Sequence, residues 1–584
     1  MSTSTDRNIN IIKRRNSASR QALRVSNEYS SSDDETSTKG DGKSSKRRGK
    51  LTSRPTLEGE FEQGKTEATP EEVNVLVSSI NKRKPLRKPQ DEFVSKYRDV
   101  KLRETSSSIL DSEEFKSSDY YGCYIIFWMA TGYLIFAQLM HFSFENHESP
   151  WSWPIVQTFR KDIFKVALTD LAMYLMTYMA YIVQRLVKAG WIKWQPTGWA
   201  FMLVYEIVYY TFWLYFASDK WMGFPWIAKI YLCLHGLVFW MKMYSYHTYN
   251  GYLWTISREL SFSQSCLKTM DEKIESGELT VSKNADPSDP HSVQNIRQDL
   301  IDSVSFCKFE LGYQASATVI TDNTAGVYED VVTKIKEGKH SAIEFPNNIT
   351  VKNFFDYSMY PTVVYTLNFP RTKRIRWSFF FGKVCGVFGV IALMIIVAQN
   401  NMYPLVFDAL KAHTLPIHER AIAFGLIVLD MIPPMLIQYV FVFFLIWDLI
   451  LNALAEITRY ADRDFYGPWW SCNDFSDFAR LWNKPIHNFL LRHVYHSSIA
   501  TLQATKAQAG FITFLLSSVF HELVMYIIFH KFRGYLFMFQ MFQIPLVLFA
   551  KSPFMKRSRA AGITLCWLGF MIGPALIMVL YLVF

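Results

Sequence analysis

AGFITFLLSSVFHELVMYIIF, residues 509–529, is a stretch in which only His521 and Glu522 are acidic or basic. A helix of about 20 residues crosses the hydrocarbon core of a bilayer, so this length reads as a membrane span. A charged side chain at the centre of such a span costs roughly 2.5–3.5 kcal/mol on insertion scales. Ionisable groups kept there are functional-site candidates, and His521 is where the chemistry is expected. The chain is accordingly an all-α polytopic membrane protein.

Half of the 584 residues are hydrophobic, but unevenly. Residues 1–118 are rich in Ser, Thr, Lys, Arg, Asp and Glu, too poor in apolar surface to offset chain entropy. They are expected to form a disordered cytosolic tail before a membrane domain at 119–584. Nine spans are predicted, at 120–142, 166–183, 199–216, 224–240, 379–397, 422–454, 509–529, 534–550 and 563–584. The sixth carries Asp430, Pro433, Pro434 and Asp448 and is too long for one perpendicular crossing, so it should tilt, kink or extend. Gly382 and Gly386 in the fifth permit close helix packing.

The start of the chain shows no apolar core of signal-peptide length. Lys and Arg near the helix ends favour a cytosolic N-terminus. A large loop at 251–353 is then cytosolic, and its sequon at Asn348 should remain unglycosylated. The net charge of +10 comes from scattered tail and loop residues without a recognition fold, which argues against nucleic acid. Seven dispersed cysteines show no metal-type spacing, so neither a metal nor a disulfide framework is expected.

Between the sixth and seventh spans, the segment 458–506 mixes aromatic and polar residues. Phe475, Phe478, Trp482, Ile486, Phe489 and Leu490 recur at helical spacing, which fits an amphipathic segment at the cytosolic face. Asn483 and His487 would share a helix face unless Pro485 interrupts it. A neutral imidazole at His521 could take a proton from a lipid hydroxyl as it attacks a thioester. Asn483 could hold the carbonyl oxygen or fix the imidazole tautomer. Ser517, one turn earlier, faces the same side, while Glu522 points about 100° away towards a neighbouring helix. A lone membrane histidine is also a common helix–helix hydrogen-bonding residue. No G-x-S-x-G, P-loop or G-x-G-x-x-G is present, so direct transfer without a covalent enzyme intermediate is the simpler expectation.

Four motifs carry a resemblance: FYGPWW, LWNKPIHNFLLRHVYHSS, LLSSVFHELVMYIIF and, upstream, PTVVYTLNFPRTKRIRW. Together they resemble the sterol O-acyltransferase branch of the membrane-bound O-acyltransferase family, most closely its fungal members. The resemblance implies a nine-helix enzyme of the endoplasmic reticulum, its N-terminus cytosolic, that moves a long-chain acyl group from acyl-CoA to a membrane sterol. It implies His521 as catalytic base with Asn483 beside it, and acyl-CoA contacts at Arg480, Trp482, His487, Tyr495, Lys506 and Ser517. It also implies a homodimer or dimer of dimers, and no cofactor beyond the acyl-CoA substrate. Phe465, Tyr466, Gly467, Pro468, Trp469 and Trp470 match a signature that reads F-Y-x-D-W-W-N. Here Pro468 replaces its aspartate and Ser471 its asparagine. Two rival expectations remain, a diacylglycerol acyltransferase and a non-catalytic lipid-binding relative.

Overall fold

A backbone in hydrocarbon must satisfy its own N–H and C=O groups, so long apolar runs fold as helices. The computed structural model describes residues 93, 95–97, 102, 106–145, 152–277, 293–316, 343–556 and 558–584. Its main helices are α1 (Tyr121–Glu145), α2 (Ile163–Met176), α3 (Met179–Lys188), α4 (Trp199–Ala217) and α5 (Trp226–Glu275). After them come α6 (Val293–Ser316), α7 (Trp377–Val397), α8 (Tyr403–Ala412), α9 (Ile417–Phe443) and α10 (Leu451–Ile457). Four short or broken elements follow: α11 (Phe475–Leu481), α12 (Lys484–Leu490), α13 (His496–Leu502) and the longer α14 (Lys506–Phe529). The chain ends with α15 (Tyr535–Met541), α16 (Gln543–Ala550) and α17 (Arg559–Val583). An isolated antiparallel β-bridge joins Arg371 and Tyr460.

Seven helical segments among the described residues are long and apolar enough to cross a membrane. They match the expected spans except the fourth and the eighth. The fourth is only the beginning of the 50-residue α5, about 75 Å long at 1.5 Å per residue. The segment 251–353 is therefore not simply a loop: α5 continues through Glu275 and α6 packs along it. The reason is visible in the burial of Tyr246, Tyr249, Leu253 and Ile256, spaced as one helical stripe with polar residues between them. Ser303 of α6 donates to Glu259 of α5 at 2.8 Å within this contact. The eighth span is divided into α15 and α16, neither long enough to cross alone.

The sixth span runs helically from Ile417 to Ile457, through both prolines. Its irregularity falls later, at a π-helical turn over Phe444–Ile450. That turn carries Asp448, whose carboxylate accepts from Lys383 Nζ (2.8 Å), Tyr466 OH (2.9 Å) and Ser108 Oγ (3.2 Å). At Gly386 of α7 an added Cβ would stand 3.0 Å from Leu449 and 3.1 Å from Trp128, whereas at Gly382 it would meet nothing. Close packing thus rests on one glycine of the pair.

The expected tail boundary at 118 also moves. Ser95 Oγ donates to Glu310 (3.0 Å), Ser106 Oγ to Asp462 (2.9 Å), and Asp111 pairs with Lys383 (2.8 Å). Short hydroxyls and a carboxylate here satisfy buried polar groups of the helices, which composition alone does not reveal. Residues 1–92 of the expected tail lie outside the described residues. Asn348 is fully buried, donating to Asn250 (2.7 Å) and Tyr365 (2.9 Å), so its sequon is inaccessible for a reason independent of topology.

Candidate active site

The helix that presents His521 begins with a capping box. Thr505 Oγ1 accepts from Gln508 N, and Gln508 Oε1 accepts from Thr505 N at 3.0 Å. Sixteen residues on, His521 Nδ1 lies 2.7 Å from the Ser517 carbonyl. A carbonyl oxygen can only accept, so Nδ1 carries the proton and Nε2 keeps its lone pair. His521 is exposed on the helix surface, and its tautomer is set within its own helix. Ser517 thus acts on His521 through its carbonyl, and Asn483 is not what fixes the tautomer.

Glu522 points elsewhere. Its buried carboxylate accepts from Gly534 N (2.7 Å), Phe537 N (3.0 Å) and Tyr581 OH (2.6 Å). It joins α14 to the start of α15 and to α17, a purely architectural arrangement.

Asn483 caps α12, its Oδ1 accepting from Ile486 N at 3.2 Å. Pro485 sits in the first turn of that helix, where its missing N–H costs nothing, so it does not interrupt the turn. His487 N still bonds to the Asn483 carbonyl at 2.9 Å, which keeps the two residues within one turn. No hydrogen bond links Asn483 to His521 among the described residues. What brings their helices together is Trp240 of α5. Its ring centroid lies 6.4 Å from Phe489 of α12 and 6.3 Å from Phe520 beside His521.

The cation candidates differ in setting. Arg480 is exposed and paired with Asp477 on the same short helix. Lys506 is exposed at the first position of α14. His487 is half-buried, and burial, with Arg480 and Lys484 nearby, lowers its pKa from the ordinary 6.5. Tyr495 is half-buried and makes an edge contact with His496.

Trp482, next to Asn483, packs in an aromatic cluster. It stacks on Tyr439 at 4.8 Å and meets Phe443 and Trp469 at 4.7 Å each. Phe465, Tyr466 and Trp469 of FYGPWW are buried in the same cluster, and Trp567 Nε1 donates to the Trp470 carbonyl at 3.0 Å. Gly467 N donates to the Leu481 carbonyl at 2.7 Å. Pro468, at the departure from the signature, is exposed. The structure therefore gives this motif a scaffold role around α11 and α17, with the substituted position on its surface.

Sequence reasoning passed over Arg492 and His493, although both lie inside LRHVYHSS. Arg492 Nη1 donates to the Tyr365 carbonyl (3.0 Å), and His493 Nε2 meets Ser245 Oγ (2.9 Å). Both are buried, and His493 is pushed well below 6.5 by burial and then by Arg492. Their signal was a basic pair inside an otherwise apolar helical repeat. Among the described residues no group of three or more His, Cys, Asp or Glu side chains could hold a metal ion.

A family model described as the membrane-bound O-acyltransferase family matches residues 120–583. Sterol O-acyltransferase 2 of Candida albicans is 46% identical over 531 residues, covering 88% of this chain and 86% of its own. Sterol O-acyltransferase 2 of Saccharomyces cerevisiae is 40% identical over 471 residues, covering 80% of this chain and 67% of its own. Diacylglycerol O-acyltransferase 1 of Dictyostelium discoideum is similar over a smaller share, 29% identical across 41% of this chain and 37% of its own.

Proposed function

The chain belongs to the membrane-bound O-acyltransferase family and is an O-acyltransferase, and on that premise we propose that it esterifies the 3-hydroxyl of a membrane sterol with a long-chain acyl group from acyl-CoA. The relatives at 46% and 40% identity support a sterol acceptor over diacylglycerol, whose acyltransferase is similar over less than half of the chain.

His521 is the general base in this reading. The observation that carries it is the Nδ1–H···O=C bond to Ser517, which leaves Nε2 ready to accept a proton inside a span. Nε2 removes the sterol hydroxyl proton as the oxygen attacks the thioester carbonyl carbon. The tetrahedral oxyanion collapses, the C–S bond breaks, and the departing CoA sulfur takes the proton back from His521. The Asn483 Nδ2 group, which makes no bond among the described residues, donates to the carbonyl oxygen as negative charge develops there. Arg480 and Lys506 face the phosphates of CoA, with His487, Tyr495 and Trp482 lining its approach.

The same reading carries an endoplasmic-reticulum location, a cytosolic N-terminus and a homodimer or pair of dimers. The seven membrane-length helices and the family match support its multi-pass membrane part.

Purified full-length protein given labelled oleoyl-CoA with either a sterol or diacylglycerol tests the proposal, run beside His521→Ala. Steryl ester from the wild type is expected, with a fall of about 10²–10⁴-fold in the variant. Triacylglycerol instead would transfer the assignment to diacylglycerol. Undiminished turnover by folded His521→Ala would remove the histidine from the mechanism, and no product with either acceptor would favour the non-catalytic reading.

A further inference from the structure

A histidine–carboxylate pair that the mechanism above does not use joins α2 to α5. Asp170 of α2 and His235 of α5 approach with Oδ1 to Nδ1 at 2.6 Å. Tyr231 OH donates to the other carboxylate oxygen at 3.2 Å and lies 3.3 Å from the same Nδ1. The imidazole is held between two rings of its own helix, Phe239 at 4.2 Å and Tyr231 at 5.4 Å between centroids. Position and tautomer are thus both defined: the carboxylate accepts from Nδ1–H, and Nε2 presents a lone pair.

Two features separate this pair from a sealed helix–helix bridge. The His235 and Asp170 side chains are 34% and 21% exposed, and Nε2 has no partner among the described residues. Nor is Nε2 among the fully enclosed unpartnered atoms of the structure, so it is open to a ligand. Leu171 and Leu234, the sequence neighbours of the pair on its two helices, expose their side chains. Asp170 lies seven residues, about 10 Å of helix, inside the membrane-length segment Ile163–Lys188. An open acceptor at this depth in hydrocarbon is costly unless something donates to it.

We infer that Asp170, His235 and Tyr231 form a membrane-facing site for a lipid alcohol, whose single hydroxyl donates to His235 Nε2 while its apolar body lies against α2 and α5. A sterol and a diacylglycerol both offer that chemistry. A phosphate ester does not, because an anion would face the Asp170 carboxylate. The site stands on the far side of α5 from the Trp240 contact, since residues 235 and 240 are about 140° apart around a helix. The inference does not depend on the acyl-transfer reading.

The test uses full-length protein in phosphatidylcholine vesicles without acyl-CoA, so that no turnover is needed. Photoreactive sterol and photoreactive diacylglycerol, each with a free hydroxyl, are crosslinked and the labelled peptides are mapped. Labelling beside Asp170 or His235 by either probe is expected, and the probe that labels identifies the source. Unlabelled alcohol should compete and its methyl ether should not. His235→Phe should weaken labelling by about tenfold, the net scale of one hydrogen bond. Asp170→Asn, which keeps the volume but no longer fixes the tautomer, should weaken it in the same direction if the phenylalanine variant does not fold. Labelling that is equal in wild type and variants, that the methyl ether competes, or that is absent with both probes overturns the inference.

Discussion

His521 and Glu522 are adjacent, yet they are turned about 100° apart and do different work. One presents an open lone pair; the other is enclosed by three donors from α15 and α17. Replacing Glu522 by alanine would leave Gly534 N, Phe537 N and Tyr581 OH without acceptors, and an unmatched buried donor costs about 1–3 kcal/mol. Glu522→Ala is therefore expected to lower the unfolding temperature in detergent clearly, while Glu522→Gln, which keeps an acceptor, should lower it less. The remaining folded Glu522→Gln should retain acyl transfer. Its loss without a change in stability would mean that Glu522 takes part in the chemistry. The sequence placed the two on different faces of one helix, and the structure supplied the partners of each.

At the scale of elements, the short pieces between α10 and α14 depend on how closely α17 can approach them. An added Cβ at Gly562 of α17 would stand 2.6 Å from the backbone oxygen of Asn473, which cannot swing aside as a side-chain tip can. Further along the contact, Phe475 and Phe570 meet edge to face at 5.9 Å. Gly562→Ala should destabilise the fold by about 1–3 kcal/mol, the usual cost of overpacking, read as a lower midpoint in thermal unfolding. An unchanged midpoint would show that the loop yields. The glycine was visible in the sequence, but its partner lies 89 residues earlier and nothing local pointed to it. The same limit explains why α5 was read too short. Local polarity rises after Trp240, whereas the partners that bury the continuing stripe, Phe354, Tyr357 and Tyr365 with α6 beyond them, come later in the chain.

For the whole molecule, buried neutral histidines set a direction for pH. His487 and His493 both titrate below 6.5, through burial first and neighbouring cations second. In the unfolded chain they bind protons as pH falls through 6.5, and in the folded protein they do so only at lower pH. The unfolded state then holds more protons, so stability falls as pH drops below about 6.5. Unfolding temperatures in detergent should be lower at pH 5.5 than at pH 7.5, and His493→Gln should narrow that difference. A gap that is the same in the variant would place the pH dependence in other groups.

Length and apolar patterning were enough to establish an all-helical membrane protein, because hydrocarbon leaves a backbone few alternatives, and the same setting makes an ionisable residue such as His521 conspicuous as a candidate. Most spans could be bounded within a few residues for the same reason. Tertiary structure alone decided that the tautomer of His521 comes from Ser517 rather than Asn483, that FYGPWW is scaffold, that Asp111 closes on Lys383 and that Asp170 meets His235. These depend on distances between residues far apart in the chain, and periodicity says which face a side chain takes but not what stands opposite it.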